Sequence, residues 1–198
     1  QLTAVVLEMA DAGHSTQAVD KSVDEVAVQQ ALGWNDKAWP WQAYGPVVMA
    51  AVRAGVPVYG GNLPRAQMRE VMQQPQWDSH LPAADWQRQL DAIRAGHCDL
   101  LPESQLVPMA RIQLAKDASM ARTAQQLMQP GKTVLLIAGR GHVLRSIGIP
   151  SWLPAGTRSV VAMGQAGDAA QVPEADRDWV HHTPAVPAKD HCAALKQQ

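Results

Sequence analysis

Three short apolar runs, each ending in polar or glycine residues, dominate the hydrophobic pattern of the chain. They cover residues 3–7, 56–59 and 133–138, and they predict three β-strands. The last run is apolar along its length, which is typical of a parallel strand covered on both faces. Weaker strand patterns follow at residues 158–163 and 179–181.

Between the strands, apolar residues recur three and four positions apart, which indicates amphipathic helices. The spacing predicts one helix after a cap at Ser15, ending at Gly33, and a short helix from Tyr44 to Arg53. From residue 66 to residue 129 the pattern is helical throughout.

Strands that alternate with helices predict an α/β fold. We expect a mainly parallel sheet flanked by helices, formed by residues 1–65 and 130–198. Residues 66–129 are expected to form a smaller helical subdomain beside it. A chain of 198 residues is long enough for one well-buried core.

Composition narrows the class of protein. Hydrophobic residues make up 46% of the chain and charged residues 18%, as in ordinary globular proteins. The formal net charge is −1 and the Lys and Arg residues are scattered, so nucleic-acid binding has little support. The apolar runs are too short to cross a bilayer. The chain begins at Gln1, directly before a predicted strand, which indicates a trimmed or processed product.

The two cysteines bear on the compartment of the protein. Cys98 and Cys192 are too few for a disulfide framework. They form one long-range bridge if the compartment is oxidising, and otherwise they are two unpaired small apolar residues. The sequence leaves both alternatives open.

Candidate chemistry lies where the predicted strands end. Glu8 follows the first run, Asn62 the second and His142 the third. Because ligands of open α/β sheets bind beyond the carboxyl ends of the strands, these residues converge on one crevice if the strands are neighbours. Arg65 and Arg140 would then be close by. Polar residues also follow strands simply as caps and turns, so the convergence is a hypothesis.

The third run continues into the glycine turn "AGRGH" before His142, which is similar to a phosphate-binding turn. A dinucleotide-binding fingerprint needs a third glycine where this chain has Leu144, and no P-loop pattern is present. We therefore interpret the glycines as a sharp turn that presents His142. The two tyrosines, Tyr44 and Tyr59, are most simply packing residues, although a tyrosinate can also ligate ferric haem iron.

Six segments carry a further signal when they are taken in order: "VVLEMAD", "WPWQAYGPVVMAAVRAGVPVYGGNLPR", "GHCDLLPE", "IQLAKDASMA", "LLIAGRGHVLRSIGIP" and "KDHCAAL". Together they span about residues 5–195 and resemble the ChaN family of haem-binding, iron-regulated bacterial lipoproteins. The resemblance implies an α/β/α domain with a smaller helical domain. It also implies a lipid-anchored protein of the cell envelope, periplasmic or at the outer membrane, that takes part in haem or iron uptake.

The resemblance further implies that haem is the cofactor and that it is held in a homodimer that forms as haem binds. A tyrosine of one monomer would ligate the iron, and basic side chains of the other would hold the propionates. Outer-membrane haem-uptake components are the other implied partners. Members of the family begin with a strand that carries a Gly-Glu pair and a nearby His, and the present sequence starts after that strand.

Residue by residue, the resemblance makes Tyr44 the expected iron ligand, because "WQAYGP" matches a recurrent family position. Tyr59 is a second candidate, at a place where other members usually carry an aliphatic residue. The remaining residues of the expected haem site match the family's motifs: Glu8, Asn62, Arg65 and His142.

We therefore predict a haem-binding protein rather than an enzyme. An alternative is a hydrolase, because the family is distantly similar to the Tiki and erythromycin-esterase group, in which Glu and His at strand ends serve hydrolysis. Glu8 and His142 would then act as a base and its partner. A third possibility is an envelope scaffold that binds neither haem nor a substrate.

Overall fold

The computed structural model of the protein describes residues 1–167, 172–185, 187 and 192–193. In chain order, strands β1 to β5 span Leu2–Asp11, Val58–Asn62, Thr133–Ile137, Ala162–Ala166 and Trp179–Thr183. Helices α1 to α6 span Glu25–Ala31, Trp41–Arg53, Arg65–Val71, Ala83–Gly96, Glu103–Leu127 and Arg140–Val143. Short 3-10 helices span Pro75–Ser79, Ile149–Trp152 and Glu174–Asp176. No helix in this described part of the chain is long and apolar enough to cross a membrane.

The chain packs as two compact units. The first unit comprises residues 1–68 and 116–139, and the second comprises residues 69–115 and 140–198. The long helix α5 passes from the second unit into the first, which is why these units are cut differently from the predicted domains. The domain boundaries expected at residues 65 and 130 stay a prediction.

The first unit contains a parallel sheet in the order β2-β1-β3, which confirms the predicted fold class. Strand β1 is buried along almost its whole length because it has a neighbour on each side. It extends four residues past the predicted end at Leu7, since Asp11 still pairs with Asn62 of β2. The β1 backbone therefore carries Glu8 into the middle of the sheet.

Strand β3 differs from its expected environment. Its uniformly apolar sequence predicts burial on both faces, but Leu135 is 43% exposed and Thr133 is exposed as well. Within the described residues β3 pairs with β1 alone, so it forms an edge of this sheet. An apolar run cannot by itself distinguish an edge strand from a central one.

The core of the first unit lies between β1 and the inner face of α2. Val5, Leu7 and Met9 of β1 pack in one cluster with Val48 and Met49 of α2. The same cluster includes the Trp41 indole, and a Cβ atom at Gly45 would lie 2.5 Å from its Nε1 atom. Gly45 therefore allows the indole to lie close against its own helix, where it donates a hydrogen bond to Glu25 Oε2 at 2.7 Å.

The helix predicted after Ser15 begins later than expected. Helix α1 starts at Glu25, and the Asp24 side chain caps it by accepting a hydrogen bond from the Ala27 N–H at 2.9 Å. The segment before it pairs with β2 instead: the Thr16 N–H donates to Val58 O, and the Val58 N–H donates to Thr16 Oγ1, each at 2.9 Å. These contacts exclude a helical conformation at Thr16.

The second unit has a different construction. Its strands β4 and β5 form a separate two-stranded parallel sheet. Strand β4 begins four residues after the predicted start, whereas β5 begins at the predicted residue and ends two residues later than expected. Small apolar clusters centre on Leu114, Ile93 and Met163. A disulfide joins Cys98 to Cys192, which resolves the alternatives that the sequence left open. The remaining tail residues 188–191 and 194–198, including His191, lie outside the described residues.

Candidate functional site

The structure brings Glu8, Asn62 and Gly139 together where the parallel strands approach their carboxyl ends. The Gly139 N–H, just after β3, donates a hydrogen bond to Glu8 Oε2 at 2.6 Å. The Glu8 side chain is buried, so this charge-assisted bond compensates part of the cost of removing a carboxylate from water. Glu8 thereby fixes the turn that follows β3.

Asn62 lies at the end of β2 and is also buried. Its Nδ2 atom donates a hydrogen bond to the Glu8 main-chain oxygen at 2.8 Å, which links the ends of neighbouring strands. Its Oδ1 atom is buried with no hydrogen-bond partner among the described residues. That oxygen can accept one further hydrogen bond. Arg65, at the start of α3, is exposed and offers a cation near the same strand end in the sequence.

His142 belongs to the second unit, where it lies in the short helix α6 and is buried. The Gln113 side chain holds its ring, with Nε2 at 2.8 Å from Nδ1 of His142. A Cβ atom at Gly148 would lie 2.2 Å from the His142 carbonyl oxygen, so a glycine is needed where the chain folds back on α6. Sequence reasoning missed Gln113, because nothing in the helical pattern of α5 distinguishes it from an exposed glutamine. The predicted haem-site roles of His142, Glu8, Asn62 and Arg65 stay predictions.

The two tyrosines occupy different environments in the first unit. Tyr59 is half-buried in β2, between Val6 of β1 and an isolated bridge to Ser15. Tyr44 is half-buried near the start of α2, with its ring centroid 6.0 Å from Trp34 and 5.8 Å from Trp39. No hydrogen bond joins the Tyr44 hydroxyl to any described residue.

The outer face of α2 is apolar although it is exposed. Its exposed positions follow a helical spacing of three and four residues, and most carry apolar side chains: Ala43, Pro46, Val47 and Ala50. Val47 is 50% exposed and lies one turn after Tyr44. We call these four residues the outer face of α2. An exposed apolar stripe beside aromatic side chains is typical of a binding surface.

Metal ligation by a side-chain cluster has no support in the described part of the chain. No group of three His, Cys, Asp or Glu residues gathers there in a way that could hold an ion. A single axial ligand to a metal already held by a macrocycle needs no such cluster. The absence of such a cluster among the described residues therefore does not bear on Tyr44 as a ligand of haem iron.

An exposed apolar helix face beside a parallel sheet can serve as an interaction or ligand-binding surface. The sequence profile of a family described as "Haem-binding uptake, Tiki superfamily, ChaN" matches residues 1–153. The chain belongs to this family. The family's ligand is haem, in agreement with the cofactor predicted from the sequence.

A solved structure supports the same assignment. It is described as cofacial heme binding to ChaN of Campylobacter jejuni, and it is 25% identical to the present chain with a TM-score of 0.76. The match covers 91% of this chain and 72% of the solved one. The comparison with curated proteins gives no match. The family resemblance predicted from the six sequence segments is confirmed.

Proposed function

We propose that the chain binds haem against the outer face of α2, with the Tyr44 hydroxyl as the iron ligand. One observation carries this proposal: a phenol without a hydrogen-bond partner among the described residues lies beside an exposed apolar stripe. A phenolate oxygen is an established type of ligand for ferric haem. Haem supplies the iron, and the chain contributes the ligand, the apolar contact and the orientation.

The residues around Tyr44 suit a porphyrin. Trp34 and Trp39 flank its ring and hold it in place from the side of the core. The outer face of α2 offers small and branched apolar side chains, which a flat ring can cover without a deep cavity. Arg53 in the last turn of α2 and Arg65 at the start of α3 are both exposed and are available to carboxylates such as the propionates.

The outer face of α2 also supports the proposal that haem binds between two copies of the chain. A haem held on an exposed helix leaves its second face in water, and pairing of two such faces removes both from solvent. The relative from Campylobacter jejuni is described as binding heme cofacially, which fits this arrangement. We therefore expect a monomer without haem and a dimer with it.

The disulfide between Cys98 and Cys192 supports a location outside the cytoplasm. Disulfides form and persist in oxidising compartments such as the bacterial periplasm. With the family's association with haem uptake, this favours a protein of the cell envelope, periplasmic or anchored at the outer membrane. Components of outer-membrane haem uptake are then its natural partners.

Substitution of the two tyrosines tests the ligand. Tyr44→Phe keeps the ring that packs against Trp34 and Trp39 but removes the oxygen. On titration with hemin, we expect the unchanged chain to show a Soret shift and the charge-transfer band of a ferric phenolate. Tyr44→Phe should lose that band and bind hemin at least tenfold more weakly, whereas Tyr59→Phe should behave like the unchanged chain. Loss of the band in Tyr59→Phe alone would assign the iron to Tyr59 and refute the proposed ligand.

A second pair of variants tests the dimer. Val47→Lys places a charge on the outer face of α2, and Val26→Lys places the same charge at a 58% exposed position of α1. Sedimentation with hemin should show a dimer for the unchanged chain and for Val26→Lys, and a monomer for Val47→Lys. If Val47→Lys dimerises with hemin as the unchanged chain does, the outer face of α2 is not the interface.

The hydrolase alternative stays a prediction. Its base, Glu8, already accepts the Gly139 N–H at 2.6 Å, and this bond accounts for the buried carboxylate as a structural acceptor. No contact in the described residues favours hydrolysis over haem binding.

A further inference from the structure

The second unit contains a cavity of about 250 Å³ that the proposed haem site does not use. One face of α4 forms a wall of it through Gln89, Ala92, Ile93 and Gly96, at the spacing of successive helical turns. Gln113 of α5 lines the cavity as well, together with apolar residues that follow the start of α6, such as Ile147. The lining is therefore mostly apolar, with a few polar side chains.

Gln89 is the unusual member of this lining. The residue is only 3% exposed, and no hydrogen bond joins its side chain to another described residue. Its amide atoms are not among the fully buried side-chain atoms that lack a partner, so they are reached from the cavity that the residue lines. Because Gln89 lines an open cavity, a bound molecule can supply the missing hydrogen bonds.

The other polar groups of the cavity define what that molecule must offer. His97 Nδ1 donates to the Ile93 carbonyl oxygen at 2.7 Å, and in the neutral tautomer with this bond Nε2 is left as an acceptor. Gln113 uses its Nε2 atom toward His142, which leaves its Oε1 atom as an acceptor. The lining thus offers two acceptors and the Gln89 amide, which is both donor and acceptor.

Charge is absent from this lining in the described residues. The two arginines of α4 form ion pairs with carboxylates that do not line the cavity. Arg88 pairs with Asp176 at 2.7 Å, and Arg94 pairs with Glu103 at 3.2 Å. An anionic or cationic ligand would therefore enter the cavity without a counter-charge. The surroundings suit a neutral molecule.

We propose that this cavity binds a small neutral molecule with an apolar body and N–H or O–H donors, of the size of an indole or a phenol. Gln89 would bond to its polar edge, and Ile93 and Ile147 would contact its apolar part. A porphyrin is too large for a cavity of about 250 Å³, so this inference concerns a second ligand and does not depend on haem binding.

A matched pair of probes tests the polar contact. Indole and indene have nearly the same shape, but only indole carries an N–H donor. Titration followed by NMR should show saturable shifts of the Gln89 side-chain amide with indole, and about tenfold weaker binding of indene, as expected for loss of one buried hydrogen bond. Gln89→Leu should remove the preference for indole while leaving the protein folded, because it replaces an unpartnered amide by an apolar group. Equal affinities for the two probes in the unchanged chain would overturn the proposal.

A matched pair of variants tests the place of binding. Ala92 lines the cavity and Ala95, one turn away on α4, does not, although both alanines are exposed on the same helix. Ala92→Leu fills the cavity and should weaken indole binding more than tenfold, whereas Ala95→Leu should leave it unchanged. Unaltered binding in Ala92→Leu, or no saturable shift with up to about 5 mM indole, a range generous for so small a ligand, would refute the site.

Discussion

The two units of the chain are stabilised by different means. The first unit has a continuous apolar core in which β1 and the inner face of α2 share one cluster. The second unit has several small clusters, joined by ion pairs such as Arg88–Asp176 and Arg111–Asp78 and by the Cys98–Cys192 disulfide. Apolar burial responds little to pH or to reductant, whereas ion pairs respond to pH and a disulfide responds to reductant. The second unit should therefore be the part whose stability solution conditions control.

Removal of the disulfide is the strongest way to weaken the second unit. The bond closes a loop with a sequence separation of 94 residues, and loss of a native bridge typically costs about 2–5 kcal/mol. We expect Cys98→Ser with Cys192→Ser to lower the free energy of unfolding by that amount. Hydrogen exchange should show faster amide exchange in the second unit and little change in β1 and β2. Equal loss of protection in both units would contradict the comparison.

Truncation of a buried side chain in the first unit should lower the free energy of unfolding by nearly as much, but the loss should not depend on pH or reductant. Met49 is buried on the inner face of α2, and Met49→Ala is expected to destabilise the protein by about 3 kcal/mol. Since the loss is one of apolar packing, denaturant unfolding should show the same loss at pH 5 and pH 8, with and without reductant. Val47→Ala on the outer face of the same helix is the control and should change stability by less than about 0.5 kcal/mol.

Asp176 makes the stability of the second unit depend on pH. Burial alone would raise the pKa of this carboxyl, but hydrogen bonds from Ser146 and the Arg88 guanidinium hold the pKa below its usual value. Because the folded pKa is depressed, the stabilisation is complete above about pH 4 and is lost as the pH falls through the folded value.

Asp176→Asn should remove that dependence. At pH 7 the variant should be roughly 2 kcal/mol less stable, because the buried side chain at position 176 no longer offers a charged acceptor to Ser146 and to the exposed Arg88 guanidinium. Unfolding curves at pH 3 and pH 7 should show a smaller difference for the variant than for the unchanged chain. A variant that loses stability on acidification as steeply as the parent would show that other carboxyls dominate.

Much of the first unit could be predicted from sequence, because its elements follow local patterns. The apolar runs identified β1, β2 and β3, and the rule for strand ends predicted that Glu8 and Asn62 lie close together. The predicted start of α1 after Ser15 was wrong, because the hydrogen bonds between Thr16 and Val58 override the helical spacing there. Long-range hydrogen bonds of this kind leave no trace in a local pattern.

The candidate sites were less predictable, since they depend on which polar atoms lack partners. Gln89 stands in an otherwise apolar stripe of α4 between Trp86 and Ile93, a pattern that could have indicated a buried polar side chain. That Gln89 has no partner, while Gln113 bonds to His142, follows only from three-dimensional packing. The sequence also does not show that the outer face of α2 is exposed and apolar, because apolar residues occur on both faces of the helix and only the structure shows which face packs on the core.

The smallest changes in the free energy of unfolding should come from breaking single ion pairs of the second unit. Comparing two such pairs shows which of them stabilise the unit. Arg111 donates two hydrogen bonds to Asp78, at 2.8 and 2.6 Å, and a third to the Met72 carbonyl oxygen. Asp78→Asn should therefore cost roughly 1 kcal/mol. Glu103→Gln removes the exposed partner of Arg94 and should leave the unfolding midpoint unchanged within error. Urea unfolding of both variants in low and high salt checks this ranking. If Glu103→Gln were the more damaging change, exposed pairs rather than the partly buried ones would support the second unit.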